Sequence, residues 1–325
     1  MTQLQRLLGT LTVAALAAGL ASAAHAQAYP TRPINFIVPT EAGGPFDVLA
    51  RVLSKSFGDR GLPAFVVENR TGANFIIAAQ ACARAKPDGY TVCMLPRDNI
   101  SLLPFETNVG YDAVKDLDPV TNLLYIQAVM VASPTVPVNN FKEFVEFAKK
   151  NPDKLNYGAF ASSQTIMEWI KKTTGAPMTF VPFKGGPSAI QAFLGGQIHA
   201  MYLAVGNPGL LQMIKAGKAK ALVVPADSRY AVLPDVPTMV EAGLPRFPLQ
   251  SWMGLFAPAG TPLAMRSKIA SEIAGIMKEP EFREKNMLAL GMEPIANTPE
   301  DFAKFIASDR KQGEELIQIA GKRQF

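Results

Sequence analysis

Ile34, Phe36, Ile37 and Val38 make residues 34–38 a mostly apolar run of strand length, and Pro39 to Asp47 follows with Gly43 and Gly44 near its centre. Val48, Leu49, Val52, Leu53 and Phe57 then recur at helical spacing. The pattern predicts a strand, a tight glycine turn and a helix in succession. The alternation continues along the chain. Residues 64–67, 90–95, 155–158, 179–183, 198–203 and 219–224 read as strands, and 76–84, 165–174, 188–194 and 208–216 as helices between them. Strand–helix repetition of this kind predicts parallel-rich sheets with helices on both faces.

Other stretches depart from the rhythm. Residues 118–133 are long, mostly apolar and rich in β-branched side chains, so they read as a crossing strand. Asn140 with Glu143 three residues on has the form of a capping box for a helix through Lys150. Between Asp227 and Pro258 turns dominate, and residues 251–256 leave that region as a strand. Thr261-Pro262 and Thr298-Pro299 each open a helix, to about Lys278 and Ala320. The chain changes lobe twice in this layout, near Tyr125 and near Trp252.

The first 26 residues belong to a different pattern. One charge (Arg6), an apolar run over 7–20 and a close on Ala24-His25-Ala26 predict a secretory signal peptide cut after Ala26, with Ala28 as the nearby alternative. About three hundred residues remain, with 31 basic against 27 acidic side chains. This mild surplus comes without a basic run and argues against a nucleic-acid partner. No later apolar stretch is long enough to span a membrane, so the exported chain is expected in the periplasm, not embedded in a bilayer. Its two cysteines, Cys82 and Cys93, fall on a predicted helix and the next strand, and either pair there or stay as buried thiols.

Candidate chemistry is sparse. A glycine turn feeding a helix N-terminus leaves backbone N–H groups and a partial positive charge for an anion, which makes Ala42, Gly43 and Gly44 binding candidates. Arg97, in the polar tip 96–99 after a strand, is either an anion clamp or a solvated loop arginine. An α/β enzyme is the competing class. Glu41, Asp47 and Asp98 are the carboxylates that such an enzyme would bring together. His199 is the one histidine after the signal peptide and reads as a packed or surface residue. The sequence has no G-x-S-x-G elbow, no G-x-G-x-x-G, no P-loop and no metal-ligand spacing.

Several stretches resemble the Bug-type periplasmic solute receptors of the tripartite tricarboxylate transporter family. They are Tyr29-Pro30-Thr31-Arg32-Pro33-Ile34, Ala42-Gly43-Gly44-Pro45-Phe46-Asp47 and Val67-Glu68-Asn69-Arg70-Thr71-Gly72-Ala73. Pro87-Asp88-Gly89-Tyr90-Thr91 and Val181-Pro182-Phe183-Lys184-Gly185 follow. The last are Leu233-Pro234-Asp235-Val236-Pro237-Thr238 with Glu241-Ala242-Gly243, and Ala257-Pro258-Ala259-Gly260-Thr261-Pro262. Their order and spacing cover essentially the whole exported chain.

The resemblance implies a type II-like, two-lobed α/β fold closing on a small organic acid, one lobe from 27–126 with 253–325 and the other from 127–252. It implies a monomer without cofactor, metal or catalysis, delivering its ligand to membrane transporter subunits. A sensory receptor presenting its closed form to a membrane partner would have the same sequence. One holding loop per lobe is implied, Ala42 to Asp47 with Asp47 organising it, and Lys184, Gly185 and Gly186, where Lys184 either neutralises an acid or is a surface lysine. Thr40, Glu41, Phe160, Ala161, Ser162 and Ser163 lie in the loops that would face the ligand. The chain departs from the family pattern at Thr40, usually aromatic, Glu41, usually small, and Phe160, in a loop usually rich in Ser and Gly. Met167 stands where a His is common and His199 where an Asp is common. A charge at Glu41 and a ring at Phe160 shift the expected ligand from simple dicarboxylates and tricarboxylates toward an aromatic acid, or one bearing an amino or amide group.

Overall fold

The computed structural model describes residues 29–321 apart from 153, 161, 184, 208, 248 and 249. The signal-peptide reading and the site candidates Ala161 and Lys184 therefore lie outside the described residues. Two sheets carry the chain. The first has six strands in the order β11-β4-β10-β3-β1-β2. These are β1 Asn35–Val38, β2 Val66–Asn69, β3 Thr91–Pro96, β4 Leu117–Ile126, β10 Trp252–Pro258 and β11 Met292–Pro294. The second has five, ordered β7-β6-β8-β5-β9. They are β5 Ala128–Ala132, β6 Asn156–Ala159, β7 Thr179–Pro182, β8 Ala200–Ala204 and β9 Lys220–Val223.

Both sheets are mixed, for a reason visible in the connections. Strands joined through helices run parallel, as β1 does with β2 and β3, and β6 with β7 and β8. The strands that carry the chain between sheets, β4, β5 and β10, pair antiparallel with their neighbours. The apolar stretch 118–133 is thus two strands in two sheets, separated by Gln127 alone. Gln127 N donates to Gly291 O at 2.8 Å and Gln127 O accepts from Val205 N at 2.8 Å, so the crossing is bonded to both sides.

Each sheet is covered on both faces. Phe36, Val38, Val92 and Met94 point one way, onto α1 (Pro45–Asp59) and α8 (Leu263–Met277). Ile37, Cys93 and Leu95 point the other way, onto α2 (Ile76–Ala83), as the period-2 geometry of strands requires. Cys82 on α2 is bonded to Cys93 on β3, with Cα atoms 6.0 Å apart. In the second sheet, Met130, Tyr157 and Ala200 face α4 (Phe141–Lys150) and α5 (Ser162–Thr174). Val129, Val131 and Met201 face α6 (Gly186–Leu194) and α7 (Leu210–Lys215). The Asn140 cap is as expected, its Oδ1 accepting from Glu143 N at 2.9 Å. Thr261 is not a cap. Its hydroxyl donates to Pro258 O at 2.6 Å, and Pro262 stands at the N-cap of α8.

Two short helices, α3 (Leu103–Glu106) and α9 (Pro280–Asn286), complete the first half, and α10 (Pro299–Ala320) ends the described chain. Thr298 caps α10, accepting from Asp301 N at 3.1 Å. The helix straddles the two sheets. Phe302 and Ile306 pack in the first sheet's core, whereas Leu316, Ile317 and Ala320 pack in the second's. Between them Gly313 lies so close to the Ser101 carbonyl that a Cβ would stand 2.0 Å from its oxygen. Helix propensity alone favours Ala over Gly by about 1 kcal/mol. Gly313→Ala is nevertheless expected to destabilise the protein by about 1–3 kcal/mol, because the clash is with backbone. Urea unfolding gives the sign, and a gain in stability would contradict this packing.

Candidate functional site

The first holding turn is built outward from a buried carboxylate. Glu41 O accepts from Gly44 N at 3.3 Å, closing a four-residue turn, and Gly43 has φ +80, a conformation that favours glycine. Gly44 is the N-cap of α1 with Pro45 behind it, and no side chain caps the helix. The first N–H groups of an α-helix have no partner within it, so those of Phe46 and Asp47 face outward with the positive end of the dipole. Asp47 is 2 % exposed. Its Oδ2 accepts from Gly43 N at 2.8 Å and from Arg51 Nε at 2.9 Å, and its Oδ1 from Asn69 Nδ2 at 2.9 Å. Asn69 Nδ2 also donates to Thr40 O at 2.9 Å, which ties both ends of the turn to β2.

Asp47 therefore shapes the turn, and its lone pairs are committed to it. Asn69 and Arg51 complete this network and were not among the site candidates. Arg51 was detectable as the i+4 partner of Asp47 on a predicted helix, whereas Asn69 meets Asp47 only through the strand pairing. Glu41 and Ala42 are exposed, so solvent screens the Glu41 charge. Asp98 is buried and Asp47 fully hydrogen-bonded, an arrangement unlike a pair of acid–base carboxylates sharing a cleft.

The second sheet contributes two turns side by side, because β6 and β7 pair in register to Ala159 and Pro182. Phe160 N donates to Ser163 Oγ at 2.8 Å and Ser163 N to Phe160 O at 3.1 Å, closing the turn into α5 at Ser162. The Phe160 ring packs on the second sheet's own core. Gly185 is the N-cap of α6, again with no side-chain cap. Gly186 is backed by Asn207, whose Oδ1 a Cβ would meet at 2.1 Å. His199 is a structural residue, its Nδ1 accepting from Asn156 N at 3.1 Å. Met167 is buried in the second sheet's core.

Arg97 differs most from its reading as part of a polar tip. Residues 96–100 are buried, and Asp98–Leu102 form a π-helical turn held by α10. Arg310 Nη1 donates to Ile100 O, and Tyr111 Oη donates to Asn99 O at 2.7 Å. Arg97 is 2 % exposed, which removes the solvated-loop alternative. It also lies within electrostatic reach of Tyr202 on β8. Burial pushes the Tyr202 phenol well up, with Tyr230 adding to the rise and Arg97 opposing it.

Most of the quoted sequence motifs turn out to build turns. Arg32 lies over the Tyr90 ring at 3.7 Å and bonds Asp88 at 3.2 Å, which ties the start of the described chain to the 87–90 turn. Thr238 and Glu241 cap each other, Glu241 N donating to Thr238 Oγ1 at 3.1 Å and Thr238 N to Glu241 Oε2 at 2.8 Å. An open groove of about 570 Å³ runs past Asp227, Arg229, Glu241 and Arg246. Its arginines are already paired, Arg229 with Glu241 at 3.0 Å and Arg246 with Asp227.

Two α/β sheets joined by two crossings, with helix-starting turns at the carboxyl ends of β1, β6 and β7, define a two-lobed binding-protein fold. A family model described as "Tripartite tricarboxylate transporter family receptor" matches residues 48–322, and the chain belongs to that family. Protein BugT of Bordetella pertussis is 29% identical over 327 residues, covering 98% of each chain. The periplasmic binding protein BugD is 33% identical with TM-score 0.80, covering 91% of this chain and all of that one (100%). The R. palustris protein Rpa4515, solved with adipate, is 26% identical with TM-score 0.81, over 90% of this chain and 98% of its own. MatC of Rhodopseudomonas palustris, solved with bound malate, is 29% identical with TM-score 0.77, over 89% and 100%. The chain is thus a member of the receptor class that its motifs resembled.

The Asp47 network carries a pH signature. The Arg51 hydrogen bond is the largest cause holding its carboxyl down to about 2 from 3.8; burial opposes it, and Gly43 and Asn69 assist. A depressed folded pKa gives stability that is present above about pH 4 and fades as pH falls toward 2. Because Arg51 is half-exposed, the contribution is discounted to about 1–2 kcal/mol. The stability gap between wild type and Asp47→Asn should shrink by that amount between about pH 5 and pH 2. A gap that stays constant in denaturant titrations over this range would contradict it.

Proposed function

We propose that this protein is a periplasmic receptor that captures a small organic acid between two lobes and hands it to a tripartite tricarboxylate-type membrane transporter. The lobes are residues 27–126 with 253–325, and 127–252. The observation that carries the reading is the uncapped N-terminus of α1. Its outward N–H groups follow a glycine turn that Asp47 holds in shape, at the carboxyl edge of the first sheet. A carboxylate there accepts those N–H groups and meets the dipole's positive end. Thr40, Glu41, Ala42, Gly43, Gly44 and Asp47 line or shape that side. Phe160, Ala161, Ser162, Ser163, Lys184, Gly185 and Gly186 supply the other, where two further helices begin.

Family membership and relatives solved with adipate and malate support an acid as ligand. The protein works as a monomer and binds without turnover. The reasons for favouring an aromatic or amino-bearing acid have weakened, since Phe160 packs into its own lobe and Glu41 is solvated. A thermal-shift panel of dicarboxylic, tricarboxylic, aromatic and amino acids tests the reading. At a hundred times its dissociation constant, one acid should stabilise the protein by about 2.7 kcal/mol, unchanged in mass after prolonged incubation. A panel without any shift, or conversion of the acid to product, would overturn it.

A further inference from the structure

Arg97 is held in a way that stability alone does not explain. Its guanidinium makes one long hydrogen bond, Nη1 to Gln250 O at 3.4 Å. Nε and Nη2 are buried with no hydrogen-bond partner among the described residues. A buried cation short of acceptors is costly, and replacing such a group by an apolar one of similar volume is often neutral or stabilising. Asp309 on α10 stands within electrostatic reach; burial pushes its carboxyl upward, and Arg97 opposes that rise.

The position is equally specific. β1 and β3 are parallel neighbours, with Ile37 opposite Cys93. Because they run parallel, the turn that follows β1 and the Arg97 turn that follows β3 leave the sheet at the same carboxyl edge. The guanidinium therefore belongs to the same carboxyl edge as the glycine turn, bonded to Gln250 of the returning crossing and within electrostatic reach of Tyr202 on the other sheet.

We propose that Arg97 is a specificity-determining residue: its free N–H groups take a second acidic group of the ligand whose first carboxylate rests on the Gly43–Gly44 turn. A guanidinium offers parallel donors to one planar anion, so the site selects for charge and for the separation of two acidic groups. This rests on the receptor reading above.

The test pairs each diacid with its own monoamide, adipate with adipamate and malate with malamate, in calorimetric titrations of wild type and Arg97→Met. Wild type should favour at least one diacid over its monoamide by about tenfold or more, and in the variant that ratio should fall to within about threefold. The ligand-free variant should melt no lower than wild type, because Nε and Nη2 lack a partner among the described residues and Nη1 makes only one long bond. A folded variant that keeps the wild-type ratio overturns the proposal. So does one that melts several degrees lower, which would mark Arg97 as a structural strut. A wild type that discriminates in neither pair overturns this inference but leaves acid capture standing. Failure of the whole acid panel overturns the receptor reading itself.

Discussion

A carboxylate removed from water must be given hydrogen bonds, and the site's first turn is organised around that requirement at Asp47. Gly43 N, Arg51 and Asn69 satisfy it, and each partner fixes something else. Gly43 is held in its left-handed conformation, Arg51 is anchored along α1, and Asn69 holds the Thr40 carbonyl against β2. With the side chain thus occupied, the helix N-terminus is left without a side-chain cap. The buried carboxylate of Asp47 therefore shapes the turn.

The second constraint is the route of the chain. One residue, Gln127, separates strands in different sheets, and it is bonded on both sides through Gly291 and Val205. Gly206 approaches Leu290 so closely that a Cβ would stand 2.2 Å from its carbonyl oxygen. The last helix then spans both cores and braces the turn that carries Arg97. The sheets share a tight backbone junction on one side and a bracing helix on the other. Motion between them would be absorbed at the crossings near Gln127 and Gln250, as in hinge-closing proteins.

Local patterns were legible in the sequence. The strand, glycine turn and helix at 34–57 and the Asn140 and Thr298 caps could be read because a few adjacent residues determine them. So could the alternation that builds both sheets. The turn motifs pointed to the right family because they build its turns. Features set by distant partners were not legible. The stretch 118–133 gave no sign of its break at Gln127, since apolar residues run up to it on both sides and the sheets are chosen by strands far along the chain. Arg97 read as part of a polar tip because Pro96, Arg97, Asp98 and Asn99 are polar or turn-forming, yet α10, some two hundred residues later, buries them. Phe160 looked like a ligand-facing departure, but its ring packs against the core of its own sheet.

The account depends on where an acid rests, and a structure solved with the acid that ranks first in solution tests that most directly. Its carboxylate should accept from the N–H groups at the start of α1, within about 3 Å of Phe46 N or Asp47 N, with the second-sheet turns closed over it. An acid seated in the Asp227–Arg246 groove, or held between the sheets without touching the Gly43–Gly44 turn, would contradict the account.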